Sequence, residues 1–196
     1  MTTPLYPTFQ KRINDSFEQL IKKQVTPWAF LNSGKPMKVT THDNRQISYE
    51  GGGFEGSPEQ VFWSRYIEPF MEDISISEID TATKMAAERN VNAVLLLPEI
   101  EGLLLAGVGK TFSEMAKTDQ RLRGKGFPEK IPLRPIENEI QQMKTFIEVR
   151  IQSELKMWSP KSKLEAWYER NKFVIWLVGI VVTIVVALAG LYAKVK

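Results

Sequence analysis

The sequence predicts a mainly helical α+β fold, in which a helical domain with one small β-hairpin precedes a single C-terminal transmembrane helix. Three observations predict it. Apolar residues recur every three or four positions in several stretches before residue 159, as they do in amphipathic helices. In one short stretch polar and apolar residues alternate instead, as they do in the strands of a β-hairpin. Residues 173–193 carry no charge at all. The 196 residues are 43% apolar and 25% charged, which excludes wholesale disorder.

The first 135 residues are expected to form the helical domain, which begins with an amphipathic helix. Between residues 8 and 25 the apolar side chains recur at helical spacing, and Pro27 follows. A proline removes a backbone donor and clashes inside a helix, so we expect the helix to end before it. The predicted apolar face consists of Phe9, Ile13, Phe17, Leu20 and Ile21.

A β-hairpin near residues 37–50 and a linker come next. Polar and apolar residues alternate on both sides of a polar turn that contains His42, which is the pattern of two paired strands. Residues 51–56 are rich in glycine and predict a linker. Ser57 and Pro58 then suit the N-cap and the first position of a helix, so we expect the linker to lead into one.

This next helix is expected to be the centre of the core, because it carries two adjacent apolar stripes. We expect Pro69 to kink it or end it, and residues 77–89 to form a separate, more polar helix. The two stripes consist of Phe62, Tyr66 and Phe70 beside Trp63, Ile67 and Met71.

The secondary structure of the next apolar stretch is ambiguous at its start and clearly helical further on. Residues 94–97 fit either a short buried strand or the end of a helix. From Pro98 onward the spacing predicts a helix of about 25 residues. Gly107 and Gly109 lie inside it, and we expect them to let another helix approach closely. Glycines and prolines in residues 124–135 then indicate an irregular connection.

The C-terminal third of the chain predicts three segments. Residues 136–158 have helical spacing and form a long helix leading to the membrane. Residues 159–172 mix aromatic and charged side chains and suit a juxtamembrane amphipathic segment. Residues 173–193 are long enough for a transmembrane helix, because about 20 residues cross the hydrocarbon core.

The charges that flank residues 173–193 predict the orientation of the span. Four lysines and arginines lie between residues 161 and 172, and two lysines follow the span. Cytoplasmic flanks carry the excess of cations. Residues 1–15 lack the apolar region of a secretory signal peptide. We therefore expect a single-pass protein with a tail anchor and a cytoplasmic N-terminal domain, placed in a bacterial inner membrane.

Nothing in the composition predicts an enzyme, a cofactor or a metal site. The chain has one histidine and no cysteine, which removes thiolate chemistry and disulfides and leaves little for a histidine-based site. Carboxylates at Glu68, Glu72 and Asp73 lie close together in the sequence. An acid–base site would require them to converge in a cleft.

Residues 117–134 form the most informative polar stretch. Its cations lie among glycines and one aromatic residue, a combination that binds phosphate backbones and stacks on bases. A solvated loop, a basic patch on anionic lipid and an acidic protein partner remain open as alternatives. The candidate anion-binding residues are Arg121, Arg123, Lys125, Phe127, Lys130 and Arg134.

Within the predicted span, small residues recur on one helical stripe. Such a stripe lets two helices approach closely in a membrane, and we therefore expect a homo-oligomer held partly inside the bilayer. The stripe consists of Gly179, Thr183, Ala187 and Gly190.

The layout of residues 136–196 resembles the small transmembrane effectors of bacterial antiphage defence, in which a cytosolic sensor controls an oligomeric membrane pore or channel. The resemblance implies that the cytosolic domain senses an anionic ligand, such as a nucleotide or oligonucleotide, and that the output acts on the lipid bilayer. A tail-anchored adaptor that docks a cytosolic partner at the membrane is the alternative. An oligomer would favour the first function, and a monomer the second.

Overall fold

The computed structural model describes residues 2–30, 37–49, 63, 65–123, 136–158 and 176. These residues are mostly helical and include one two-stranded sheet, which confirms the mainly helical class with a small hairpin. Contacts divide the chain into two compact units, Met1–Trp158 and Ser159–Lys196. All elements below belong to the first unit.

The N-terminal helical segment continues further than its sequence predicted. Helix α1 spans Tyr6–Leu20 and buries four of the five residues of the expected apolar face, whereas Ile21, the fifth, is half-buried in the next turn. A π-helical turn, Ile21–Val25, and a 3-10 helix, Thr26–Phe30, follow it without a break. The amphipathic helix ends before Pro27, as expected, because the π-helical turn ends at Val25. Pro27 lies in the first turn of the 3-10 helix that begins at Thr26, where a backbone N–H has no helical partner to lose.

The hairpin is present where the alternation predicted it. Strand β1, Met37–Thr40, pairs antiparallel with β2, Gln46–Tyr49. Asn44 has a φ of 61° in the turn, a left-handed conformation that asparagine tolerates. The Thr41 hydroxyl donates to the Asp43 carboxylate and holds the pKa of Asp43 below its ordinary value.

Helix α2, Glu68–Glu88, begins where the helix type changes. Residues 65–67 are π-helical, and Pro69 lies in the first turn of the α-helix that follows them, where a proline is well tolerated. Residues 77–89 are not a separate helix but belong largely to α2. The helix ends before Asn90, whose φ of 54° suits a residue that terminates a helix.

Helix α3, Ala93–Arg123, is the central helix of the unit. It packs against α1, α2 and the last helix α4, Ile136–Trp158. The ambiguity at residues 94–97 is resolved as helix. Of the two apolar stripes expected at the centre of the core, Trp63, Ile67 and Met71 are buried, whereas Tyr66 and Phe70 are half-buried and Phe62 lies outside the described residues.

The two glycines of α3 behave differently. A Cβ atom built on Gly107 would lie 2.2 Å from the Phe17 ring, so only glycine lets α1 approach here, as predicted. Among the described residues, nothing lies within 4 Å of a Cβ atom built on Gly109. The expectation of a close approach at Gly109 is therefore wrong within this part of the chain.

Candidate functional site

Two of the predicted anion-binding residues lie at the C-terminal end of α3. Arg121 is exposed and Arg123 is half-buried, both in the last turn. A helix C-terminus carries partial negative charge, so cations there stabilise the helix itself. The same partial charge works against an anionic ligand at this end. The other four predicted residues, Lys125, Phe127, Lys130 and Arg134, lie outside the described residues.

The predicted membrane span lies almost wholly outside the described residues. Trp176 is helical and 61% exposed, whereas Gly179, Thr183, Ala187 and Gly190 are not described. Within the described ranges, no helix combines the length and the apolarity that a membrane crossing requires. The span and its small-residue stripe therefore stay predictions.

A pocket of about 200 Å³ opens between the end of α1, the π-helical turn and α2. Its lining combines three apolar side chains with a hydroxyl, two carboxamides and one ammonium group. The Phe70 ring also meets the His42 ring edge to face, with 6.1 Å between the ring centroids, which brings the hairpin turn to α2. The pocket is lined by Ser16, Gln19, Leu20, Lys23, Gln24, Phe70 and Ile74.

Two ion pairs join α2 to its neighbours on opposite sides. Arg12 of α1 donates two hydrogen bonds of 3.1 Å, from Nε and Nη2, to the Glu78 carboxylate. Arg150 of α4 donates from Nη2 to Oδ1 of Asp80 at 2.7 Å. It also lies 3.4 Å from the carboxylate of Glu154, one turn later in α4. Helix α2 is thus tied electrostatically to the first and the last helix.

The burial of these ion pairs decides how much each contributes to the stability of the fold. The Glu78 side chain is only 6% exposed, whereas the Asp80 side chain is 53% exposed. Hydrogen bonding to the carboxylates raises the pKa of Arg12 and of Arg150, so both guanidinium groups stay charged. A buried carboxylate that loses its cation is costly, but an exposed pair contributes little. The Arg12–Glu78 pair is therefore the stronger structural contact.

We expect Arg12→Met to destabilise the protein by about 2 kcal/mol, because Glu78 then lies buried without its cation. The double substitution Arg12→Met with Glu78→Met should recover much of that loss, since no unpaired charge remains. The matched control is Lys110→Met, which breaks the exposed pair of Lys110 with Glu18 and should cost less than about 1 kcal/mol. Urea unfolding of the four proteins measures the differences. If Arg12→Met and Lys110→Met lowered the free energy of unfolding equally, the Arg12–Glu78 pair would not be the stronger contact.

The carboxylates that an acid–base site would need do not form a metal-type cluster in the described part of the chain. Glu68 and Glu72 are half-buried and Asp73 is exposed, all near the start of α2. No group of three or more metal-ligating side chains occurs among the described residues.

Sequence reasoning missed the pocket and four buried carboxylates, which belong to Glu78, Asp119, Glu139 and Glu154. Trp63 Nε1 donates to Asp119 Oδ2 at 3.0 Å, and Asp119 is 2% exposed. Asp119 and Glu78 both interrupt the apolar faces of their helices, so a search for charged residues on those faces would have found them. Glu154 interrupts the α4 face between Ile151 and Leu155 in the same way.

Comparisons with protein-family models, with curated proteins and with solved structures give no match to this chain.

Proposed function

We propose that the chain is an oligomeric single-pass membrane effector of the pore or channel type. Its helical domain senses an anionic signal in the cytoplasm, such as a nucleotide or oligonucleotide, and residues 173–193 act on the bilayer of a bacterial inner membrane. The observation that carries the proposal is the uncharged segment itself, 21 residues long, which begins 15 positions after the last residue of α4. A buried helix of a small domain rarely lacks charge over such a length.

The packing of α4 supports a role for this helix in transmission. It lies against α3 and α2, and Arg150 links it to Asp80 by an exposed ion pair. An exposed pair is weak enough to be exchanged when a ligand binds. The segment that α4 leads to in the sequence carries the output, so a change in how α4 docks is the simplest route from signal to membrane.

Oligomerisation through the span is the first property to test. We expect Gly179→Leu with Ala187→Leu to weaken the assembly, because leucine on the small-residue stripe prevents close backbone approach. Mass photometry of the full chain in detergent measures the number of subunits. The wild type should form a defined oligomer, and the variant should shift to smaller species.

A matched control separates this effect from a general effect of size. Val181→Leu with Val185→Leu enlarges two residues that the helical spacing places opposite the stripe in the predicted span, and it should leave the oligomer unchanged. A variant on the stripe that assembles like the wild type would contradict association through the stripe.

A membrane-anchored adaptor remains the second candidate. Val149 and Met157 of α4 are 64% and 70% exposed, and exposed apolar side chains on a helix suit a protein partner. A wild-type chain that is monomeric in detergent would favour this function over a pore, because a pore needs several spans.

A further inference from the structure

The pocket at the end of α1 is lined by both apolar and hydrogen-bonding side chains. Leu20 is 6% exposed, and Phe70 and Ile74 are half-buried, so the apolar part of the lining is largely shielded from solvent and includes one aromatic ring. Gln19 and Gln24 add two carboxamides, each of which donates and accepts hydrogen bonds. The lining therefore suits a planar group with polar edges better than it suits a plain hydrocarbon chain.

The charge of the pocket lining favours an anionic ligand. Lys23 is its cation, and among the described residues no carboxylate lines it. Lys23 is exposed, whereas Gln24, the next residue of the same π-helical turn, is half-buried. A ligand that fills the pocket can thus place an anionic group at the exposed lysine while its body lies inside. π-Helical turns are frequent at functional sites.

We propose that this pocket binds a nucleotide, with the base over Phe70 and the phosphate at Lys23. Bases stack on aromatic rings, carboxamides recognise base edges, and a lysine ammonium is a common phosphate ligand. The volume of about 200 Å³ is smaller than a typical drug-sized site, so it holds the base while the phosphate stays at the rim. The inference rests on the proposed function in one respect, the anionic nature of the signal.

The test is binding of nucleoside 5′-monophosphates to the full chain in detergent at low salt, measured by isothermal titration calorimetry. AMP, GMP, CMP and UMP are the probes, with adenosine and inorganic phosphate as the separated parts. We expect at least one monophosphate to bind, and to bind more tightly than either part. If none of the four binds, the proposal is overturned.

Two substitutions locate the binding. Phe70→Leu keeps the apolar volume but removes the stacking surface, and Lys23→Gln removes the cation; each should weaken binding about tenfold or more. Lys22→Gln is the matched control, since Lys22 is an exposed lysine in the same turn that does not line the pocket. An equal effect of Lys22→Gln would mean non-specific attraction and would overturn the site.

A further arm distinguishes failure of the pocket from failure of the proposed function. A single-stranded oligonucleotide is tested against the wild type and against the variant Arg121→Glu, Arg123→Glu and Lys125→Glu. If the monophosphates do not bind but the oligonucleotide binds and is lost in this variant, the pocket proposal fails and the anion sensor stands. If neither probe binds the wild type, both fail.

Discussion

Gly107→Ala should destabilise the protein by about 3 kcal/mol, although alanine is the better helix former. The added methyl group would lie 2.2 Å from the Phe17 ring, and Phe17 is only 1% exposed. A ring held on all sides cannot turn away, so α1 and α3 must separate. Thermal unfolding should show the melting temperature lowered by roughly 6–12 °C.

Gly109→Ala is the matched control for this substitution. It lies two residues away on the same helix, where the described residues leave open space around the new methyl group. Alanine should stabilise the helix there by up to about 1 kcal/mol. The two variants therefore change stability in opposite directions for the same chemical change.

The double variant Gly107→Ala with Phe17→Leu tests the cause directly. A leucine is smaller and more adaptable than the ring, so the double variant should lose less than the sum of the two single losses. Strict additivity would show that the methyl group and the ring do not meet. A Gly107→Ala protein as stable as the wild type would contradict the packing of α1 on α3.

The periodicity of apolar residues predicted most of the helices, because burial of one face fixes the spacing. Helix α4 begins and ends at Ile136 and Trp158, as its spacing and the Ser-Pro pair after it predicted. The hairpin strands also lie where alternation placed them. Both features depend only on residues that are close in the sequence.

Two helix boundaries near prolines were misplaced, because the effect of a proline depends on its position within a helix. A proline in the interior of a helix breaks it, but in the first turn the missing N–H of a proline costs nothing. Pro69 lies in the first turn of α2. The sequence alone did not show that α2 begins at Glu68. Pro98 is a different case, because it lies inside α3, five residues after the helix begins, and the helix continues through it.

The ion pairs that join α2 to its neighbouring helices connect residues that lie far apart in the sequence. Arg12 and Glu78 are separated by 66 positions, and Asp80 and Arg150 by 70. A single sequence does not pair such residues, because the pairing depends on how whole helices pack. The pocket is hidden for the same reason, since its walls come from α1 and α2.

The most direct test of the proposed function is the position of two labelled residues relative to the membrane. The chain contains no cysteine, so each single-cysteine variant carries one reactive thiol. Ser153→Cys lies at an exposed position of α4, and Lys196→Cys lies after the predicted span. A membrane-impermeant maleimide is added to spheroplasts, or to inverted inner-membrane vesicles, of a bacterial host that expresses the full chain.

If residues 173–193 cross the bilayer with the helical domain in the cytoplasm, Ser153→Cys should be labelled only in inverted vesicles and Lys196→Cys only in spheroplasts. Detergent should make both thiols reactive in either preparation, which controls for burial of a thiol within the protein. Labelling of both thiols from the same side would show that the chain does not cross the membrane, and it would contradict the single-pass effector.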